Sequence, residues 1–195
     1  MASITNLRGA SPKKHTDYLL DANVWIFLLG GTEKSYQQSY IDFVGKIPRM
    51  NADGRSKIIL PSCILSEVVN RMMKDVFMNE FARKFPTAID PRFASKPNLL
   101  YKHSYRAHRQ YDEDFGMLLA DMNAYGQHIV TVSDNFAGTS LNDIMDNPPT
   151  QLDFTDYTIS KLAKDNQLVI VTDDGDFKGG DNDILTVNRG LLGTT

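Results

Sequence analysis

The sequence has very few of the residues that cross-link or metallate small domains. Cys63 is the only cysteine among 195 residues, which excludes an internal disulfide and a cysteine-based zinc site. The four histidines, at positions 15, 103, 108 and 128, do not have ligand spacing and predict no histidine metal site. A chain with a single thiol fits a reducing compartment, and we expect it in the cytoplasm.

Long hydrophobic runs are absent as well. No stretch of about 18 apolar residues occurs, so we expect no transmembrane span and no membrane partner. The first 15 residues mix basic residues with Pro12 and contain no hydrophobic core of a signal peptide. We expect this segment to be flexible. The apolar share of 42% is enough for a packed core, and the length predicts one domain over residues 1–195.

The net charge of −3 hides an uneven distribution. Residues 83–109 contain seven bases and one acid, a local charge of +6, so the rest of the chain carries −9. Residues 153–183 contain eight aspartates and three lysines. One region therefore could hold a polyanion and the other could hold cations, although a solvated surface explains each region equally well.

Apolar patterning predicts alternating strands and helices. Short β-branched or leucine-rich runs predict five strands, at residues 18–20, 57–60, 128–132, 168–171 and 184–187. Helical spacing predicts helices at residues 24–29, 34–47, 102–125 and 154–165, a further helix from residue 62, and a turn at 51–55. This order predicts an α/β fold with a mainly parallel, roughly five-stranded sheet covered on both faces. Residues 75–127 form a helical and loop insertion.

Acidic residues stand at one edge of that predicted sheet. Ligands of parallel sheets gather at the carboxyl ends of the strands, and the acids lie just after a strand or early in a neighbouring helix: Asp21, Glu67, Asp156, Asp173, Asp174 and Asp176. Singly, each has an ordinary explanation as a helix cap, a first-turn acid or a polar turn. Together they would repel one another by about 4 kcal/mol per pair at 4 Å, which favours a site for hard cations such as Mg²⁺ or Mn²⁺.

The same positions resemble the motifs of PIN-domain ribonucleases, a family that includes the toxins of bacterial toxin–antitoxin pairs. The segment Leu-Leu-Asp21-Ala-Asn23 resembles the opening motif, and Leu60-Pro61 through Ser66-Glu67-Val68 is similar to the second. The segment from Asp153 to Ile159, which includes Asp156, resembles the third, and Val171-Thr172-Asp173-Asp174-Gly175-Asp176-Phe177 resembles the fourth. Residues 184–188 are similar to the last strand. The matches cover about two-thirds of the chain and leave residues 75–127 unmatched.

The resemblance implies a three-layer α/β/α sandwich and a Mg²⁺- or Mn²⁺-dependent endoribonuclease that cleaves single-stranded RNA. Asp21, Glu67, Asp156 and Asp174 would be the catalytic, metal-binding quartet, with Asp176 as an outer ligand. Asn23 would orient Asp21 or the hydrolytic water, and Thr172 would support the site through its hydroxyl. Asp173 replaces the usual Asn, which leaves the choice between Asp173 and Asp174 open. A protein antitoxin and a homodimer are further implied partners.

Three bases of the insertion are candidate RNA contacts. Lys102, Arg106 and Arg109 fall on one face of a predicted helix, near tyrosines that could stack on unpaired bases. A solvated amphipathic helix, or one that binds an acidic partner, explains the same pattern.

Two other functions compete with the nuclease. A haloacid-dehalogenase-like phosphatase also places an Asp after a strand and an Asp-Asp pair late in the chain, but that family has a second Asp where Asn23 stands. A catalytically inactive PIN-like module that binds RNA or protein is the other alternative. The retained acids weigh against it, since an idle site gains nothing from repelling charges.

Overall fold

The computed structural model describes residues 3–30, 34–50, 56–134, 140–146, 152–179 and 181–193. Six short strands lie in this part of the chain: β1 (Ile4–Asn6), β2 (Tyr18–Leu20), β3 (Ile58–Pro61), β4 (Ile129–Val132), β5 (Val169–Val171) and β6 (Ile184–Thr186). They form one parallel sheet in the order β1-β6-β5-β2-β3-β4. The predicted α/β class with a parallel sheet is confirmed.

The α-helices of the described residues connect these strands. They are α1 (Ala22–Gly30), α2 (Gln37–Val44), α3 (Lys46–Met50), α4 (Ser62–Arg71), α5 (Met78–Lys84), α6 (Pro97–Leu100), α7 (Arg109–Asn123), α8 (Leu141–Asp146), α9 (Phe154–Asp165) and α10 (Arg189–Leu192). Two π-helical segments, Met72–Phe77 and Tyr101–Tyr105, lie in the insertion, and a 3-10 helix covers Gly175–Gly179. No helix in the described ranges is long and apolar enough to cross a membrane.

Right-handed crossovers put the helices in two layers. The connections from β2 to β3 and from β3 to β4 step in one direction across the sheet, which places α1 to α7 on one face. Contacts of α1 with both α4 and α7 agree with this. The return from β4 to β5 places α9 on the other face. The result is the three-layer arrangement that the resemblance implied.

The central strands are buried because helices cover both sides of them. All residues of β2 and β3 are buried, and Ile170 and Val171 of β5 are fully enclosed. Such strands have to be apolar on both faces, which is why they appear in the sequence as unbroken apolar runs. The carboxyl ends of β2 and β5 therefore present their first polar residues together at one edge.

The sheet order creates a switch point between β2 and β5. From β2 the chain proceeds to β3 on one side, whereas from β5 it proceeds to β6 on the other. Neighbouring parallel strands whose connections diverge leave a crevice at their carboxyl ends, which is where ligands bind in such folds. Leu20 pairs with Val171 in the register, so Asp21 and Thr172 are the residues at that crevice.

Several expectations need correction. The sheet has six strands, because Ile4–Asn6 pairs with β6 and Leu7 is buried, in a segment that we expected to be flexible. Gly45 divides the helix expected at residues 34–47 into α2 and α3. The helix expected at 102–125 is a π-helical segment followed by α7, and His108 caps the second of these by accepting from Gln110 N. The turn expected at residues 51–55 lies outside the described residues.

Candidate functional site at the switch point

Asp21 is the buried centre of the crevice, with only 6% of its surface exposed. Its backbone N–H donates to the carbonyl of Val171, which extends the β2–β5 ladder, and its carbonyl accepts from Val24 N at the start of α1. Its carboxylate accepts from the Thr172 hydroxyl at 2.6 Å and from Ala22 N at 2.6 Å. The side chain is therefore held on two sides by the fold.

Thr172 connects the two strands through one hydroxyl. It is fully buried, donates to Asp21 Oδ2, and accepts from Asp174 N at 2.9 Å. The supporting role that the resemblance gave to Thr172 corresponds to this contact. Asp174 in turn accepts from Asp176 N at 3.0 Å, which shapes the loop after β5. One hydroxyl thus fixes the positions of Asp21 and Asp174 relative to each other.

Asp173 and Asp174 face different surroundings although they are neighbours in sequence. Asp173 accepts from the Tyr40 hydroxyl at 2.9 Å and from Tyr36, and the charge of Lys34 acts on it. Burial raises its pKa, and the two tyrosine hydrogen bonds lower it. By contrast, the carboxylate of Asp174 is among the charges that raise the pKa of Asp21. The geometry therefore favours Asp174 as the acid of the crevice and Asp173 as an anchor of the loop.

Asn23 contacts the loop after β5, and its predicted role in orienting Asp21 or the hydrolytic water stays a prediction. Its amide oxygen accepts from Asp173 N at 3.3 Å, so it ties the first turn of α1 to the loop after β5. Asn188 holds the same loop from the other side by donating to the Asp173 carbonyl at 2.6 Å. The role for Asn23 that this contact supports is positioning the loop.

Asp156 approaches the crevice from the opposite helical layer. It is in the first turn of α9, where Asp153 is the N-cap and accepts from Asp156 N at 2.8 Å. Because Asp153 is the cap, the Asp156 carboxylate is left for other contacts. Its pKa is raised to about 7, mainly by burial and then by the carboxylates of Asp153, Asp21, Asp174 and Asp176 in that order.

Glu67 and Asp176 lie further out. Glu67 is on the second turn of α4, forms an exposed ion pair with Arg71 at 3.5 Å, and raises the pKa of Asp21. Exposed pairs of this kind are worth little, so Glu67 can leave Arg71 at small cost. Asp176 is exposed on the 3-10 helix after β5 and acts on Asp156. Each acid of the predicted set thus interacts electrostatically with at least one other acid of the set.

The two acids with the most strongly raised pKa values, Asp21 and Asp156, are surrounded mainly by other carboxylates. Burial raises the pKa of Asp21 to about 6, and Glu67 and Asp174 add to the rise, while its two hydrogen bonds oppose it. Every charged neighbour that acts most on Asp21 and on Asp156 is a carboxylate. The donor set consists of oxygens only, which suits Mg²⁺ or Mn²⁺ rather than a softer ion.

The carboxylates are in Coulombic range of one another but are not gathered into one coordination shell. In the described ranges, no three His, Cys, Asp or Glu side chains stand close enough together to form a ready-made metal site. Binding of a cation would require the carboxylates of Glu67, Asp156 and Asp174 to turn towards Asp21. Of these four acids only Asp21 is buried, and the side-chain partner of Glu67 is an exposed arginine.

The three candidate RNA contacts do not share a helical face. Residues 106–108 separate Lys102 on the π-helical segment from Arg109 on α7. Arg109 pairs with Glu113 at 2.9 Å, and the Arg106 guanidinium lies over the ring of Tyr111. The prediction of one basic helical face is therefore wrong.

Two residues at this end of the sheet were missed in the sequence. Tyr40 is buried on α2, and its hydroxyl lies 3.0 Å from the Thr172 carbonyl oxygen and accepts from Val187 N at 3.0 Å. No local signal distinguishes it from a core tyrosine. Asp134 follows β4 and accepts from Ser62 at 2.6 Å. The rule that acids after strands share one edge would have found Asp134.

Comparison with known proteins adds one likeness. No protein-family model matches the sequence, and neither does any curated protein. Among solved structures, the fold is similar to a chain in the crystal structure of VapBC2 from Rickettsia felis bound to a DNA fragment from their promoter. The two chains are 12% identical, the match covers 87% of this chain and 97% of that one, and the TM-score is 0.45. No activity carries over at this identity and score, so the function has to come from the site's own residues.

Proposed function

We propose that the protein is a Mg²⁺- or Mn²⁺-dependent endoribonuclease that hydrolyses phosphodiester bonds of single-stranded RNA at the switch point of its sheet. The observation that carries the proposal is the convergence of Asp21, Glu67, Asp156 and Asp174 from four separate elements. The choice of RNA as substrate is supported by the motif resemblance. Membership of a toxin–antitoxin pair, with a protein antitoxin and a homodimeric state, stays a prediction.

The chain's own residues would divide the work as follows. Asp21 would be the fixed ligand, because Thr172 and Ala22 N orient its carboxylate before anything binds. Asp174 would be the second ligand, since its backbone N–H donates to the same Thr172 hydroxyl. Glu67 and Asp156 would complete the set from the two helical layers, with Asp176 outside it. A divalent ion bound there would supply an acidified water and charge stabilisation at the leaving oxygen.

The free-energy cost of clustering these carboxylates supports the proposal that the site binds a cation. Folding that brings these acids together costs free energy: burial is the main cause of the raised pKa values of Asp21 and Asp156, and repulsion between the carboxylates adds to it. A domain with a stability of roughly 5–15 kcal/mol tolerates such a cluster only at a cost. Neutralisation by bound ions removes that cost, which ties metal binding to stability.

The direct test is cleavage of a fluorescent single-stranded RNA with Mn²⁺ by the wild-type protein and by Asp21→Asn. We expect cleavage that EDTA abolishes and that Asp21→Asn lowers about 100-fold or more. Asp42→Asn, which removes an exposed carboxylate on α2, is the matched control and should cleave like the wild type. Equal rates for Asp21→Asn and wild type would remove the proposed site. A phospho-aspartate trapped on Asp21 would favour the phosphatase instead.

A further inference from the structure

The structure places a row of cations along the helix that contributes Glu67 to the site. α4, the π-helical segment Met72–Phe77 and α5 follow one another without a break from residue 62 to 84. Arg71 lies one turn after Glu67, and Lys74 follows about one turn later; both are exposed. At about 1.5 Å per residue, Lys74 is on the order of 10 Å from Glu67 along the helix.

Aromatic rings hold two of these cations in place. The Lys74 ammonium lies over the Tyr101 ring at 5.5 Å. The Arg106 guanidinium lies over the same ring at 5.9 Å and over the Tyr111 ring at 5.7 Å. Both contacts are in cation–π range. A long side chain that is already restrained loses less rotamer freedom when it binds an anion, so Lys74 and Arg106 are preorganised donors.

These two cations are also free of carboxylate partners. By contrast, Lys84 pairs with Glu80, Arg92 with Asp90 and Arg109 with Glu113. Arg71 pairs with Glu67 at 3.5 Å, but this pair is exposed and worth little. Among the residues that the structure describes, Lys74 and Arg106 form no ion pair. A cation that is held by rings but not by acids keeps its charge available for an outside anion.

Both cations depend on the π-helical segments of the insertion. Lys74 belongs to the first segment, Tyr101 opens the second, and Arg106 follows it directly. π-helical turns are rare and often occur at functional sites. The wider turns bring a residue of the helix that carries Glu67 against the ring of a segment 27 residues later in sequence. Tyr101 of the insertion thereby holds two cations near the helix that carries Glu67.

We propose that Arg71, Lys74 and Arg106, here named the basic row, hold the phosphates of a single-stranded RNA as it leaves the acidic crevice, with Tyr101 and Tyr111 fixing the two outer cations. This deepens the proposed function and rests on it. Arg71 and Lys74 follow Glu67 on one helix, and Arg106 shares the Tyr101 ring with Lys74. So small a group of cations suits one sugar–phosphate strand better than a duplex. An acidic protein is the alternative occupant that the experiment must distinguish.

The test is binding of a 5′-fluorescein oligouridine 12-mer, measured by anisotropy in EDTA so that no cleavage occurs. The double variant Lys74→Ala/Arg106→Ala should raise Kd about tenfold, and lower the slope of log K against log salt by about 1.4, since each phosphate contact to a single strand contributes about 0.7. Lys164→Ala removes one charge at the far end of α9, where Lys164 pairs with Asp181. It should leave Kd and slope unchanged.

Tyr101→Leu separates preorganisation from charge. It keeps both cations but removes the ring between them, so Kd should rise about threefold while the salt slope stays as in the wild type. Thermal unfolding of each variant shows whether the fold is intact, and Arg106→Lys, which keeps the charge, provides a second measurement if Tyr101→Leu does not fold.

Two outcomes would overturn the basic row. The first is an unchanged Kd and slope in Lys74→Ala/Arg106→Ala. The second is binding of poly-glutamate that depends on Lys74 and Arg106 while RNA binding does not, which would assign the row to an acidic protein. Failure of the nuclease proposal is seen separately, as absence of metal-dependent cleavage by a protein that still binds the oligonucleotide through the row.

Discussion

Asp21 should make the metal-free protein less stable as the pH rises. Burial raises its pKa from 3.8 to about 6 in the folded protein. A carboxyl group with a raised pKa stabilises the folded state fully below its unfolded pKa, and this contribution is lost as the pH rises through the folded value. At about 1.36 kcal/mol per pKa unit, the loss for Asp21 is about 3 kcal/mol over its whole titration, of which about 2 kcal/mol falls between pH 4.5 and pH 8. Its 6% exposure leaves little solvent screening.

The assay is urea unfolding in EDTA at a series of pH values from 4.5 to 8, followed by the fluorescence of Trp25, the single and buried tryptophan. The wild-type free energy of unfolding should fall by about 2 kcal/mol more than that of Asp21→Asn over this range. Asp156, whose pKa is raised to about 7, adds a further fall, which is smaller in Asp21→Asn because the Asp21 charge contributes to that rise. Asp42→Asn, the exposed control on α2, should follow the wild type.

Comparing how the free energy of unfolding changes with pH in the two proteins separates the titration of Asp21 from the pH-independent cost of losing its hydrogen bonds. Replacement by Asn weakens the contacts with Thr172 and Ala22 at every pH, and this shifts the whole curve without changing its shape. Parallel curves for wild type and Asp21→Asn would refute the reasoning, since Asp21 would then not be a buried carboxylate under strain. Addition of Mg²⁺ at about 100 times its Kd should restore about 2.7 kcal/mol at pH 8 in the wild type.

Three further outcomes follow from the contacts of the loop after β5. Asp174→Asn should lower metal-dependent cleavage about 100-fold, whereas Asp173→Asn, on the tyrosine side, should lower it less than tenfold; kcat on a fluorescent RNA measures both. Thr172→Val should leave the free energy of unfolding within about 2 kcal/mol of wild type but weaken Mn²⁺ binding by about 10- to 100-fold, measured by calorimetry. Tyr40→Phe should destabilise by about 1–3 kcal/mol in urea unfolding, because it leaves Val187 N without its buried acceptor.

Much of the fold could be predicted because the strong signals are local. The buried runs before Asp21 and before Thr172 are apolar on both faces, and β2 was predicted at its observed bounds. The helix after Asp153 begins and ends where predicted, since its cap and its apolar spacing are both local. The sheet order could not be read, because nothing in residues 4–6 marks them as the partner of β6.

The site was predictable in its acids but not in their partners. Position after a strand is enough to place Asp21 and Asp174 at one edge. The difference between Asp173 and Asp174 depends on Tyr36 and Tyr40, which lie more than 130 residues away in sequence. The break between Lys102 and Arg109 depends on a π-helical turn and on His108, neither of which changes the apolar spacing. The periodic spacing of apolar residues therefore predicts regular helices and strands, but it does not predict long-range hydrogen bonds or irregular helical turns.

The hydroxyl of Tyr40 makes the end of the last strand part of the crevice's scaffold. This hydroxyl accepts a hydrogen bond from Val187 N and donates one to the Asp173 carboxylate. The next residue, Asn188, donates to the Asp173 carbonyl and so holds the loop after β5 as well. A substitution or insertion at residues 187–188 would therefore loosen the turn that carries Asp174, although that turn belongs to a different segment of the chain.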